Sequence, residues 1–249
     1  MTRLPQRMRL VPLVVLLLGL SGCFNPFDPR IATTIGVYVP PPEPNTPQGV
    51  IRLFEWCWNN RDIALYKEIF TADFRFEFSL GDSAGNTFRE HPVDRETELT
   101  IAQNLFVGGG AEPPASSIVL HLDPTLRPLS DSRPGKNPKW HKEIVTSVDL
   151  TINTEAQEFR IMGNARFFVV RGDSALIPKE LGFKPDTTRW YIDQWNDETL
   201  TGLGGAVAPG DMAARVSRGA VAPVRRTGPR SLEPPWDISW GGLKALYSR

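Results

Sequence analysis

The sequence predicts an α+β domain, and three observations predict it. Apolar residues at helical spacing come first: Val50, Leu53, Phe54 and Cys57 fall at i, i+3, i+4 and i+7. The period then switches to two, with Phe74, Phe76 and Phe78 on one side and Arg75 and Glu77 on the other. After one further helix only strand-like runs remain, and the two longest are separated by the four residues 154–157. Helices gathered at the front of a chain and strands behind them are an α+β order, not the alternation of a parallel α/β sheet.

Thr46-Pro47 is a helix start, a hydroxyl at the N-cap followed by proline at the first helical position. Asn59-Asn60 closes that helix, and Asp62 caps a second whose inner face is Ile63, Tyr66, Ile69 and Phe70. Asp94 caps a third, RETELTIAQNLF, with Leu99, Ala102, Leu105 and Phe106 inward and Gly108-Gly109-Gly110 as its stop. Strands are expected at 116–122, 143–153, 158–171 and 188–197, with a long proline-containing loop running to Trp140 and a hairpin at 154–157. Residues 200–235 are Gly, Ala, Pro and Arg with few large apolar groups, a composition that cannot build a core and is expected to be disordered. Residues 236–249, WDISWGGLKALYSR, are apolar again and are expected to dock on the domain.

The first 22 residues stand apart. Arg3, Arg7 and Arg9 precede an apolar run, Leu10–Leu20, that is short for a bilayer span. It ends in Leu20-Ser21-Gly22-Cys23, which resembles the lipobox of bacterial lipoproteins. That resemblance implies cleavage before Cys23 and attachment of diacylglycerol to its thiol. It also implies a further acyl chain, such as palmitate, on the new amino group, enough lipid for durable anchoring. Phe24, in place of an aspartate, implies the outer membrane, facing the periplasm. Residues 23–45, rich in proline, then form an extended tether.

Without residues 1–22 the chain has 25 basic and 28 acidic side chains, a balance that excludes a general nucleic-acid binder. Cys57 is the one thiol left beside Cys23, so no intramolecular disulfide forms, and its place between Trp56 and Trp58 marks a buried structural residue. His91, His121 and His141 have no partner at metal-ligand spacing, and there is no phosphate-binding or dinucleotide-binding glycine pattern. Neither a metal nor a cofactor is expected.

Gly81-Asp82-Ser83-Ala84-Gly85 has the G-x-S-x-G form of a nucleophile elbow, and a strand precedes it. An elbow also needs a helix after the serine, and NTFREHPVD has no apolar period and contains Pro92. Too little chain precedes Ser83 to lay down the parallel sheet on which such an elbow sits. Gly, Asp, Ser and Asn are the residues turns select, and a turn is what this stretch is expected to form.

The segments WCWNNRD, YKEIFTADFRFEF, RETELTIAQNLF and RWYIDQWND, in that order over residues 46–199, resemble the SnoaL-like and nuclear transport factor 2-like family. The resemblance implies a cone, a curved and mostly antiparallel sheet wrapped around three N-terminal helices, with a pocket at its mouth. That fold hosts both enzymes and binding proteins. For an enzyme of the SnoaL or ketosteroid-isomerase kind the general base would be Asp193, His121 or Asp149. Phe76, Arg166, Trp190 and Trp195 are the candidate pocket lining. The leading expectation is a non-catalytic envelope lipoprotein that binds a small apolar ligand or a protein partner. A dimeric scaffold, joined through the open sheet face, is a further alternative.

Overall fold

Helix α1, Pro47–Asn60, begins where the sequence places it: Thr46 Oγ1 accepts from the Gly49 N–H at 2.9 Å. Its apolar stripe buries Val50, Ile51, Leu53, Phe54, Cys57 and Trp58. Arg61 stops it in the left-handed region (φ 52), and the Asp62 N–H returns to the Cys57 carbonyl at 2.9 Å. Asp62 Oδ1 then accepts from Leu65 N–H, as expected, but the helix it caps, α2, is only Ile63–Tyr66. Ile69 and Phe70, read as its inner face, instead lead into strand β1, Phe70–Glu77, because the Ile69 carbonyl is taken by the Ile192 N–H at 2.7 Å. Asp94 caps α3, Arg95–Phe106, and Gly108 (φ 106) and Gly109 (φ 119) supply the positive φ that ends it.

The other strands are β2 (Ser117–Leu122), β3 (Leu129–Ser130), β4 (His141–Asn153), β5 (Glu158–Arg171), β6 (Trp190–Thr199) and β7 (Trp236–Asp237). A short 3-10 turn, Lys179–Leu181, lies between β5 and β6, and helix α4, Trp240–Tyr247, ends the chain. The computed structural model describes residues 39–79, 82, 88, 93–172, 176–183, 186, 188–199 and 236–249. Residues 1–22, expected to be a signal, Cys23, most of the expected tether, Ser83 with most of the stretch expected to turn, His91 and residues 200–235 lie outside them. Among the described residues no helix is long and apolar enough to cross a membrane.

The sheet runs β1-β6-β5-β4-β2. Its first strand is parallel to β6 and the remaining pairs on that path are antiparallel. Two short strands fill gaps the long ones leave: β3 pairs with Lys142 and Glu143 of β4, and β7 with Phe159 and Arg160 of β5. A register shift between β5 and β6 decides where Asp193 points. Phe168 faces Gln194 but Val169 faces Ile192, so Asp193 is the extra residue of a β-bulge.

Helices α1 to α3 pack on one face of the curved sheet, and the core lies between. Phe54 of α1 sits at its centre, its ring 5.1 Å from Phe167, 5.2 Å from Trp195 and 5.9 Å from Trp240. Edge strand β2 is covered by side chains of α1. Asn59 both accepts from the Leu120 N–H (2.6 Å) and donates to the Leu120 carbonyl (3.0 Å), and Glu55 accepts from the Leu122 N–H (2.9 Å). The Leu120 N–H and carbonyl and the Leu122 N–H, which the edge leaves open, are thereby satisfied from within the chain.

Candidate functional site

The polar centre of this domain is inside the cone. Asp94 sets the frame of α3 so that Glu98, one turn on, points the same way as Ile101, Ala102 and Leu105, and it is fully buried. Tyr66, the last residue of α2, donates its hydroxyl to Glu98 Oε1 at 2.7 Å. Lys244 of α4 reaches the other oxygen, Oε2, and both side chains of this ion pair are 1% exposed. Its Nζ lies 4.2 Å from the Trp195 ring centroid and 4.5 Å from that of Phe76, so the ammonium is flanked by two aromatic rings and closed by a carboxylate.

A second buried acid, Asp197 of β6, meets the start of α4. Its Oδ1 accepts from the Thr199 backbone N–H (2.9 Å) and hydroxyl (2.5 Å), and its Oδ2 accepts from the Gly241 N–H (2.7 Å). Ser239 caps the same helix, accepting from Gly242 N–H at 2.8 Å and donating to Asp82 at 2.5 Å. Two carboxylates at the positive end of a helix suit its dipole. Burial pushes the Asp197 carboxyl up to about 6; the bonds from Thr199 and Gly241 oppose that shift, and the nearby charge of Asp82 adds to it. Burial pulls the Lys244 ammonium below the usual lysine range, against the pull of Glu98 and Asp197. Burial, then the adjoining Glu98, holds the Tyr66 hydroxyl well above its ordinary range.

The residues expected to carry a site fall on both faces of the sheet. Phe76 and Trp195 are interior and form the two walls around Lys244, while Trp190 is buried in the core. Asp193, expected to share the interior with Trp195, is on the outer face, because the bulge at that residue inverts the alternation between Ile192 and Trp195. There it pairs with Arg133 (2.5 Å) and Lys136 (3.3 Å); Arg133 also binds Asp131 and Gln194 and covers the Phe168 ring at 4.2 Å. His121 and Asp149 face each other across β2 and β4 on the exposed side, where Asp149 lies 3.9 Å from Arg160. Arg166 is also outside, bound to Glu143 and, at 2.8 Å, to Glu198. None of Asp193, His121, Asp149 or Arg166 lines the cone interior.

Glu98, Asp197 and Lys244 were not singled out by sequence, and Tyr66 was read only as an inner-face residue of its helix, although signals exist. Glu98 shares the helical stripe of Ile101, Ala102 and Leu105, Asp197 has the parity of Trp195, and Lys244 stands in the apolar run WGGLKALY. Among the described residues no group of three or more His, Cys, Asp or Glu could hold a metal ion. Cys57 is buried and unpaired, its thiol pushed up by burial.

Helices α1 and α2, strand β1, helix α3 and then the remaining strands of a curved, unclosed sheet, with the first strand parallel to the last long one, form the nuclear transport factor 2-like fold, and this chain has it. Solved structures similar to it include a candidate scytalone dehydratase from Novosphingobium aromaticivorans (8% identity, TM-score 0.43, covering 62% of this chain and 81% of that one). A hexachlorocyclohexane dehydrochlorinase, LinA type 2, gives 14% identity and a TM-score of 0.41 over 65% of this chain and 90% of its own. A nuclear transport factor 2-like superfamily protein from Salmonella enterica gives 14% and 0.39 over 64% and 92%. No protein-family model and no curated relative matches the sequence.

Proposed function

We propose that the chain is a lipid-anchored protein of the cell envelope whose cone is a non-catalytic binding module for a small apolar ligand or an envelope partner. The observation that supports the non-catalytic reading is the seating of α4 inside the cone, with Trp240, Leu243 and Lys244 buried and both interior acids engaged. A general base needs a carboxylate or imidazole free to reach a substrate proton. Here both oxygens of Glu98 and both of Asp197 already accept from the chain's own donors. A polar set so fully engaged supports a module that holds its shape over one that turns over a substrate.

The anchor rests on Leu20-Ser21-Gly22-Cys23. Globomycin should arrest maturation and leave a larger precursor in the membrane fraction; an unlipidated mature product of unchanged mass would refute the anchor. Native mass spectrometry of the protein isolated from its own envelope tests the module. A stoichiometric ligand or partner mass that is lost on denaturation supports it. A clean apo monomer together with turnover of an added substrate would replace it by an enzyme. In that enzyme Asp197 would have to give up its bonds to Thr199 and Gly241 before it could act as the base.

A further inference from the structure

We infer that the Glu98 end of the cone is a site for a primary ammonium group, which the chain's own Lys244 fills and which a small alkylammonium takes when Lys244 is removed. The inference rests on the binding-module reading and names the ligand chemistry of its interior.

The surroundings of Lys244 Nζ are those of a recognition site for a compact cation. One buried carboxylate, fixed in place by the Tyr66 hydroxyl, accepts a charge-assisted hydrogen bond. Two aromatic rings, Trp195 and Phe76, stand 4.2 and 4.5 Å from the nitrogen, within the range at which ring quadrupoles attract a cation. A second buried carboxylate, Asp197, adds negative potential from the strand beside it. An ion pair that only joined two elements would need the carboxylate alone. The paired rings and the second acid select for a small, fully charged, hydrogen-bonding head.

Separate elements of the domain body supply the receiving groups: Tyr66 from α2, Glu98 from α3, and Phe76 and Trp195 from adjacent strands β1 and β6. Lys244 arrives separately, on α4. The geometry is thus that of a receptor with a tethered ligand, and the tether gives that ligand a high effective concentration. The matching free ligand is a primary alkyl amine with a short, unbranched stem, since the lysine stem that now leads to the site is itself an unbranched chain.

The test uses the mature chain carrying Lys244→Ala. Propylammonium chloride should raise its Tm saturably by several degrees above a sodium chloride control of equal ionic strength. Equal 1-propanol should not, because it fills space without charge, and tetramethylammonium should not, because it has no N–H for Glu98. The rise should vanish when Glu98→Gln is added. No rise, an equal rise with propanol, or a rise that survives Glu98→Gln each overturns the inference. If Lys244→Ala does not fold in buffer alone, the yield of refolded monomer with and without propylammonium is read instead, and equal yields overturn it.

The outcome is separable from that of the binding-module reading, since rescue depends on neither the anchor nor a native partner. Rescue together with apo mass and substrate turnover would leave the ammonium site and remove the module. Failed rescue with a bound ligand of other chemistry would do the reverse.

Discussion

Lys244 and Glu98 are each fully enclosed, so at the residue scale the two must be considered together. Removing one partner of a buried pair leaves an uncompensated charge and costs about 3–5 kcal/mol. Lys244→Met should destabilise the domain by that order in urea melts. Adding Glu98→Gln should recover most of the loss, because a glutamine carbonyl still accepts from Tyr66 while no charge is left buried. A double variant as unstable as the sum of the singles would show that packing, not charge, dominates there. Asp197 gives a second prediction with a definite sign. Its carboxyl is raised from an ordinary 3.8 to about 6, so the folded state holds a proton that the unfolded chain gives up. The stabilisation is fully present below about pH 4 and is lost as pH rises through 6, about 3 kcal/mol in all. Asp82, Thr199, the Gly241 N–H and Lys244 are the polar and charged neighbours of this group. Stability of the parent chain should therefore carry a falling component between pH 4 and 7 that Asp197→Asn lacks; equal slopes in the two chains would refute the assignment.

At the scale of elements, α1 does two jobs with two faces. Its apolar stripe builds the core, while Glu55 and Asn59 hold the open edge of β2. Asn59→Ala removes two hydrogen bonds from the backbone of Leu120, a fully buried residue, and leaves a polar N–H without its partner. A loss of about 1–3 kcal/mol is expected by chemical denaturation, with faster amide exchange confined to β2. Unchanged stability would mean that water replaces the side chain. The caps of α1 and α3 and the whole of β5 were legible because each depends on local chemistry: a hydroxyl or carboxylate at an N-cap, a turn of four residues between alternating runs. The length of α2 was not, because Ile69 and Phe70 fit a helical stripe equally well and only the distant Ile192 N–H decides for the strand. The face of Asp193 was lost for a related reason. A bulge is a property of two strands in register, and no pattern within β6 alone reveals that its alternation inverts there.

For the whole molecule, the question is what closes the cone. The helices and sheet meet around Phe54, Trp58 and Trp195, and the remaining space is taken by α4, with Trp240 only 4.3 Å from Trp195 and 5.1 Å from Trp58. Sequence reading placed the apolar tail against the domain but not within it, because the docking position depends on which groups the fold has already buried. Glu98 and Asp197 are what α4 answers: one receives its lysine, the other the Gly241 N–H of its first turn. Burying Trp240, Leu243 and Tyr247 contributes about 1.5–3 kcal/mol for each side chain, together comparable to the 5–15 kcal/mol by which a whole domain is stable. A chain ending before Trp236 should therefore lose its sharp thermal transition, shift its tryptophan emission to the red and bind a hydrophobic dye. Glu98 would then sit without its cation beside exposed rings. If the shortened chain instead melts as cooperatively as the parent, with unshifted emission, the cone is complete without α4. The helix would then be an accessory to the fold and not the occupant around which its interior charges are arranged.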